Sequence, residues 1–401
     1  MRLTALLLLS LLTSACVAPV GGGGSSRGGD DDDDGECDLD TAKVVEKNLD
    51  LRSAGDIDDA KLPSGCWDLH GTLRIESPNV TTLAGLGKLA AVTNLELVNT
   101  KLTTLDLAEP LTVYEKLDVR NNQTLGSLDK LSIDQDRAVS ITIQDNAALT
   151  SLGGLADLTR VEGKTEIPGD FVIRNNAKLV TIGLSQLTEV TGRLEISDNA
   201  ALASLDGLTD LATIGGDFTV SGNAKLATAK LSRFTTVSGS TRIANNAALT
   251  TLDVANLEAV RRFEVSDNTA LTSFTGVRAR QINGDLVIRN NPKLATVGSM
   301  FSLDAIAGHL TIDNNAALTN LGMFTSTLRN LAGTLTVSNN PQLTDLGLIS
   351  HMNGIGSVSV TNNTKLPFCK AQEINHCVPQ HGGVSIVGNL NTTTNCDCWC
   401  D

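Results

Sequence analysis

Between Leu117 and Leu366 the chain spells one pattern eleven times: apolar-x-apolar-x-x-Asn-x-x-Leu. Its asparagines are Asn122, Asn146, Asn176, Asn199, Asn223, Asn246, Asn268, Asn291, Asn315, Asn340 and Asn363. Nine of the ten intervals between them run from 22 to 25 residues. The tenth is 30, because a stretch around EGKTEIP (residues 162–168) bulges from the array. A period of that size is one turn of a solenoid, so the 401 residues are expected to stack into one long body rather than divide into globular domains.

Triplets such as Leu286-Val287-Ile288 and Phe218-Thr219-Val220 alternate with period two. Each repeat therefore contributes a short strand whose first and third residues face inward, and Thr241 is the only polar residue at those inner positions. Successive strands are expected to stack in parallel about 4.8 Å apart. The residue before each repeated asparagine is Asn seven times, Asp three times and Gly once, at Gly222, the set that tolerates positive φ. That position is a predicted left-handed corner. The asparagine that follows has both a donor and an acceptor, and can bond the backbone of its own turn and the amide of the next coil as a ladder through the stack. Leucine three residues later, from Leu125 to Leu366, and a further apolar residue such as Leu205, Leu252 or Val297 fill the interior. At the last repeat Cys369 takes that second place, where the cap begins. Glycines at 192, 239, 284, 308, 333 and 356 close the coil before the next strand. So short a coil leaves little room for helices, which are expected only at the ends, the first in DTAKVVEKNL (residues 40–49).

The expected fold is mainly β: a single right-handed β-solenoid with coils of about 23 residues, a parallel sheet, an asparagine ladder and disulfide-stapled caps. The solenoid is expected over residues 73–366, with an N-terminal cap at 37–72 and a Cys-rich C-terminal cap at 367–401. Cys37 and Cys66 bracket the start of the folded part, and Cys369, Cys377, Cys396, Cys398 and Cys400 crowd its end, with no cysteine between the two groups. Only the terminal layers of a stack lack a neighbour, so that is where covalent staples belong.

Residues 1–15, MRLTALLLLSLLTSA, read as a secretion signal too short to span a membrane. The Thr-Ser-Ala-Cys that ends it resembles the lipobox of bacterial lipoproteins, although Thr13 departs from the usual aliphatic residue. The resemblance implies a diacylated Cys16 and, because Val17 is not aspartate, an outer-membrane address with the protein exposed at the cell surface. Residues 16–36, with GGGGSSRGGDDDDDGE, form a lipid-anchored tether with almost nothing to bury. In an exported chain the other cysteines favour disulfides, and zinc held by His376, His381 and the cap cysteines is the weaker reading. A net charge of −14 with no basic face argues against nucleic acid.

CWDLHGTLRI (residues 66–75), with its cysteine, glycine and strand, resembles the opening coil of receptor L domains, the ligand-binding β-solenoids of growth-factor receptor ectodomains. The likeness covers roughly residues 37–390, and it implies that Cys37 and Cys66 close the amino-terminal cap. NNTKLPFCKAQEI followed by GGVSIVGN is similar to the closing cap of bacterial lipoproteins with such repeats. The spacing Asn-x-x-Leu, rather than Asn-x-Leu, separates the chain from ordinary leucine-rich repeats. Thr100 in place of a ladder asparagine and Pro78 after the first strand depart from the pattern. The cysteine-rich module that accompanies paired receptor L domains is missing, so a hormone-binding role does not carry over.

The expected function is non-enzymatic: a rigid envelope solenoid displayed for recognition or adhesion, with an unknown protein or glycan as ligand and no cofactor. The alternative is a structural spacer of the envelope. A polysaccharide-cleaving β-helix is the least supported, since it needs acids and bases clustered on neighbouring coils, and the five histidines are scattered or lie in the C-terminal cap. The middle residues of the strands, Asp118, Thr142, Val172, Glu195, Thr219, Arg242, Glu264, Val287, Thr311, Thr336 and Ser359, are expected to face outward. The best local candidate for a polar binding face is Glu195, Arg242 and Glu264 with Arg174 and Arg289 nearby. If exposed, its charges add little to stability.

Overall fold

The computed structural model describes residues 37–134, 140–164, 169–298, 300, 302–321, 328–347, 352–378 and 382–391. The signal, Cys16, the tether, and Cys396, Cys398 and Cys400 lie outside the described residues. Each repeat forms a strand that pairs in parallel with the strand one repeat earlier and one repeat later. Leu194–Ser197 lies between Phe171–Arg174 and Phe218–Ser221, so Glu195 stands opposite Val172 and Thr219. The same register runs through Arg242 opposite Glu264 and Glu264 opposite Val287, and on to Val358 opposite Val384. Stacking thus continues past residue 366.

The coils have further sides. A second row of short parallel strands, among them Thr213–Ile214, Gln281–Ile282 and Ala305–Ile306, follows the adjoining side, and Thr228–Lys230, Thr251–Asp253 and Ser273–Phe274 form a third. Inside lies one apolar column running from Leu49 to Val378. The repeat leucines Leu202, Leu226, Leu249 and Leu294 are fully enclosed, and Phe218 packs edge-on against Phe234 with ring centroids 5.0 Å apart. No coil could bury this surface alone, which is why the fold extends by stacking. Thr241, the polar inner residue, is buried with no hydrogen-bond partner for its hydroxyl.

All eleven corner residues have positive φ, from Asn121 at 58° to Asn362 at 58°, with Gly222 at 68°. The asparagines after them are fully buried. Their side chains reach both ways along the stack: Nδ2 meets the side-chain amide of the next coil's asparagine, as Asn246 Nδ2 does Asn268 Oδ1 at 3.4 Å, and the bonds to backbone run to the coil before. Asn246 Oδ1 accepts from the backbone N–H of Asn223 at 3.1 Å, and its Nδ2 donates to the carbonyl of Val220 at 3.0 Å. Its own N–H is received by Asn268 Oδ1 at 3.0 Å. Some members add a bond to their own turn, as Asn291 Nδ2 does to the Arg289 carbonyl at 2.9 Å. The ladder also runs beyond the repeats: Thr100 starts it by donating to Asn122 Oδ1, and Asn389 ends it by accepting from the Asn363 amide.

A second ladder is made of glycine. Gly239 donates its N–H to the Gly216 carbonyl, Gly308 to Gly284 and Gly333 to Gly308, each at 3.0 Å. A Cβ on Gly308 would fall 2.6 Å from the carbonyl carbon of Gly284, so the coils touch backbone to backbone at this corner.

The amino-terminal cap differs from expectation. Residues 40–49 hold no helix: Lys43–Val45 is a strand paired with Trp67–Leu69, and Leu49–Leu51 pairs with Leu73–Ile75. The β-branched pair Val44-Val45 and the alternation Leu-Asp-Leu suit a pleated layer better than a helix. The helix lies later, at Ala54–Asp59, where Ser53 and Asp56 form a reciprocal capping box. The backbone N–H of Arg52 and the Ser53 hydroxyl hold the Asp56 carboxyl below its usual value. A disulfide joins Cys37 to Cys66 across this cap. At the other end Cys369 and Cys377, on helix Phe368–Cys377, are also disulfide-bonded.

Candidate functional site

The outward side of the long sheet carries the charged residues that a recognition surface would use. Strand pleating sends alternate side chains outward, and the parallel register lines them up in columns across the coils. Arg242, Glu264 and Val287 are consecutive members of the middle column, and Arg289 sits two residues beyond Val287.

This arrangement corrects the expected exposure of the column. Glu264 is 1% exposed, and Asp118, Val172 and Val287 are buried as well. Glu264 lies beneath three guanidinium groups: Arg242 on the preceding coil at 2.6 Å, Arg262 on its own strand at 3.2 Å and Arg289 on the next coil at 3.5 Å. Ser266 adds a hydroxyl donor at 2.9 Å. Long arginine stems lie over the short-armed column and close it from water while their heads remain half-exposed, which a linear pattern of alternation does not show. Asp118 is treated likewise by Arg120 and Lys116. A small recess of about 220 Å³ opens beside Glu264, lined in part by Asp217, Thr219, Ser240 and Arg262.

The other two candidates stand apart from this cluster. Glu195 is separated from Arg242 by the Thr219 coil and accepts from Ser197 at 2.7 Å, with Arg193 at 3.8 Å. Arg174 faces Asp198 at 3.9 Å. The face therefore holds two internally compensated charge groups, not one open polar surface.

One acid–base cluster escaped the sequence reading. His70 Nε2 lies 3.1 Å from Asp68 Oδ2, and the Tyr114 hydroxyl donates to the same oxygen at 3.0 Å from two coils away. Asp68 is buried, and its Oδ1 has no partner. The spacing Asp-Leu-His was visible, but a local bulge is what lets both side chains meet. Elsewhere His309 Nδ1 accepts from the Thr334 amide at 2.9 Å. Among the described residues no group of three His, Cys, Asp or Glu is placed to hold a metal ion, and no helix is long and apolar enough to cross a membrane.

Stacked parallel coils with a buried asparagine ladder define a β-solenoid. Residues 278–377 match the Receptor L domain family. That segment contains the ladder asparagines Asn291, Asn315, Asn340 and Asn363 and the helix Phe368–Cys377. No curated protein matches the chain.

Proposed function

We propose that the protein is a non-catalytic recognition solenoid of the bacterial envelope, exported by residues 1–15 and held at the outer-membrane surface by lipid on Cys16. The observation that carries the recognition reading is the uninterrupted parallel register of the long sheet from Leu49–Leu51 to Val384–Val387, joined to the family match over residues 278–377. That register holds outward side chains in fixed columns and lets a protein or glycan ligand bind without ordering a loop. The Asp68–His70–Tyr114 cluster orients an imidazole but adds neither a metal set nor a placed nucleophile, so it supports no hydrolytic chemistry. The internal pairing of Glu264 and Glu195 favours a second reading, an envelope spacer whose face is satisfied by itself.

The two readings separate in one experiment. Purified protein fixed to a support is expected to retain a component of envelope extract saturably, with free protein competing it away. Retention no greater than that of an unrelated solenoid leaves the spacer reading. The anchor is tested by Cys16→Ser, which is expected to move the protein from the membrane fraction to the soluble fraction, because residues 16–36 offer nothing else to insert. Continued sedimentation with membranes would place the anchor elsewhere.

A further inference from the structure

The glycine ladder breaks once. From Gly192 through Gly216 and Gly239, and again from Gly284 through Gly308 and Gly333, this corner is glycine, but the coil between Gly239 and Gly284 places Arg261 there. That coil is also one residue shorter at the corner. Ser238, Gly239 and Ser240 separate the paired residues Val237 and Thr241, and Asn283, Gly284 and Asp285 separate Ile282 and Leu286. Only Arg261 and Arg262 separate their partners Val260 and Phe263. The missing residue opens a cleft of about 510 Å³ on the second side of the coils, lined by Ser238, Ala259, Arg261, Arg280, Gln281 and Asn283 among others.

Arg261 and Arg280 are exposed, stand on adjacent coils and have no carboxylate within ion-pair distance. Every other arginine of the described residues has one, from Arg52 with Asp50 to Arg329 with Asp304. In a chain of net charge −14, two uncompensated guanidinium groups on one cleft are the exception to a uniform pattern. Glu258 also lines the cleft but faces Arg278 at 3.8 Å.

We infer that this cleft binds a carboxylate-bearing saccharide, with Arg261 and Arg280 receiving the carboxylate and Gln281, Asn283 and Ser238 bonding hydroxyls. Guanidinium groups match a carboxylate in charge and in planar geometry. The rest of the lining sets the hydroxyls and amides of Thr236, Ser238, Gln281 and Asn283 beside the apolar Val237, Ala259 and Val260, a mixture that suits the polar edges and apolar faces of a sugar ring. Adding a peptide as a further strand would need an unpaired strand edge. The floor strands are paired on both sides, Thr236 with Thr213 and Ala259, and Val260 with Val237 and Ile282. This inference rests on the recognition reading and names a ligand class and a site for it.

The test is calorimetric binding of an oligogalacturonate, its methyl ester and inorganic phosphate to the full chain, wild type and variants. Arg261→Gly restores the residue that the other coils use, so the fold is retained, and Arg280→Gln keeps the side chain's length and polarity. Wild type is expected to bind the oligogalacturonate and not the ester. Each variant is expected to lose about tenfold or more of that affinity, the loss of a charge-assisted contact. Arg233→Gln, which removes an arginine paired with Asp210, is expected to bind as wild type does. Equal binding of acid and ester, binding of phosphate alone, unchanged affinity in both variants, or no binding by wild type would each overturn the assignment. If wild type still retains its envelope component while ignoring the oligogalacturonate, this site falls and the recognition reading stands.

Discussion

Asn246→Leu is expected to destabilise the protein by about 2–6 kcal/mol, because it leaves two buried backbone groups of the preceding coil without partners, at about 1–3 kcal/mol each. The groups are the Asn223 amide, which donates to Asn246 Oδ1, and the Val220 carbonyl, which accepts from Asn246 Nδ2. Leucine is close in volume and makes neither bond. The damage falls on the coil before the substituted residue, since the Asn246 amide keeps its acceptor on Asn268. Hydrogen exchange is therefore expected to rise first at Asn223. Asn121→Gly, at a corner residue with φ of 58°, is expected to be nearly neutral in the same urea melts, because glycine adopts that conformation without strain. Equal losses in the two variants would refute the division of labour between corner and ladder residue.

That division was legible in the sequence because it repeats. Eleven copies fix which position turns and which position bonds, and the period sets the register by which Leu194 meets Phe218. The bonds to the preceding coil's backbone were not legible, since a linear pattern does not show which neighbouring coil brings its Asn223 amide and Val220 carbonyl within reach of Asn246. Where the repeat fades, reading from pattern fails. Residues 40–49 read as a helix, yet Lys43–Val45 and Leu49–Leu51 pair with the strand Trp67–Glu76, an alignment no local propensity encodes. Thr100 and Asn389 take ladder positions without completing the motif: Thr100 supplies a hydroxyl and no side-chain amide, and Asn389 has no leucine three residues on. The site was harder still. The alternation of Phe263-Glu264-Val265 marks Glu264 as outward, and outward it is. Two of the three guanidinium groups that cover it, those of Arg242 and Arg289, come from one coil to either side, so its burial belongs to the stack more than to the strand.

Glu264→Arg is accordingly expected to cost about 3–5 kcal/mol, the range for breaking a buried ion pair by removing one partner. The new guanidinium would sit where Glu264 is 1% exposed, beside Arg242, Arg262 and Arg289. Exposure of those three heads lets them turn toward water, which moderates the loss but does not restore a counter-charge to the buried position. The swap Arg242→Glu with Glu264→Arg sharpens the test. If the pair were isolated and exposed, exchanging the two charges would return the melting temperature to near its starting value. In the tripod, the swap repairs only the contact between positions 242 and 264 and leaves the buried arginine against Arg262 and Arg289. The double variant is therefore expected to recover only part of the single variant's loss. Raising salt is expected to narrow the gap between them modestly, because screening acts on the exposed heads more than on the buried centre. Full recovery in the swap would mean that Arg262 and Arg289 do not share Glu264, and the face would return to being an open row of surface charges.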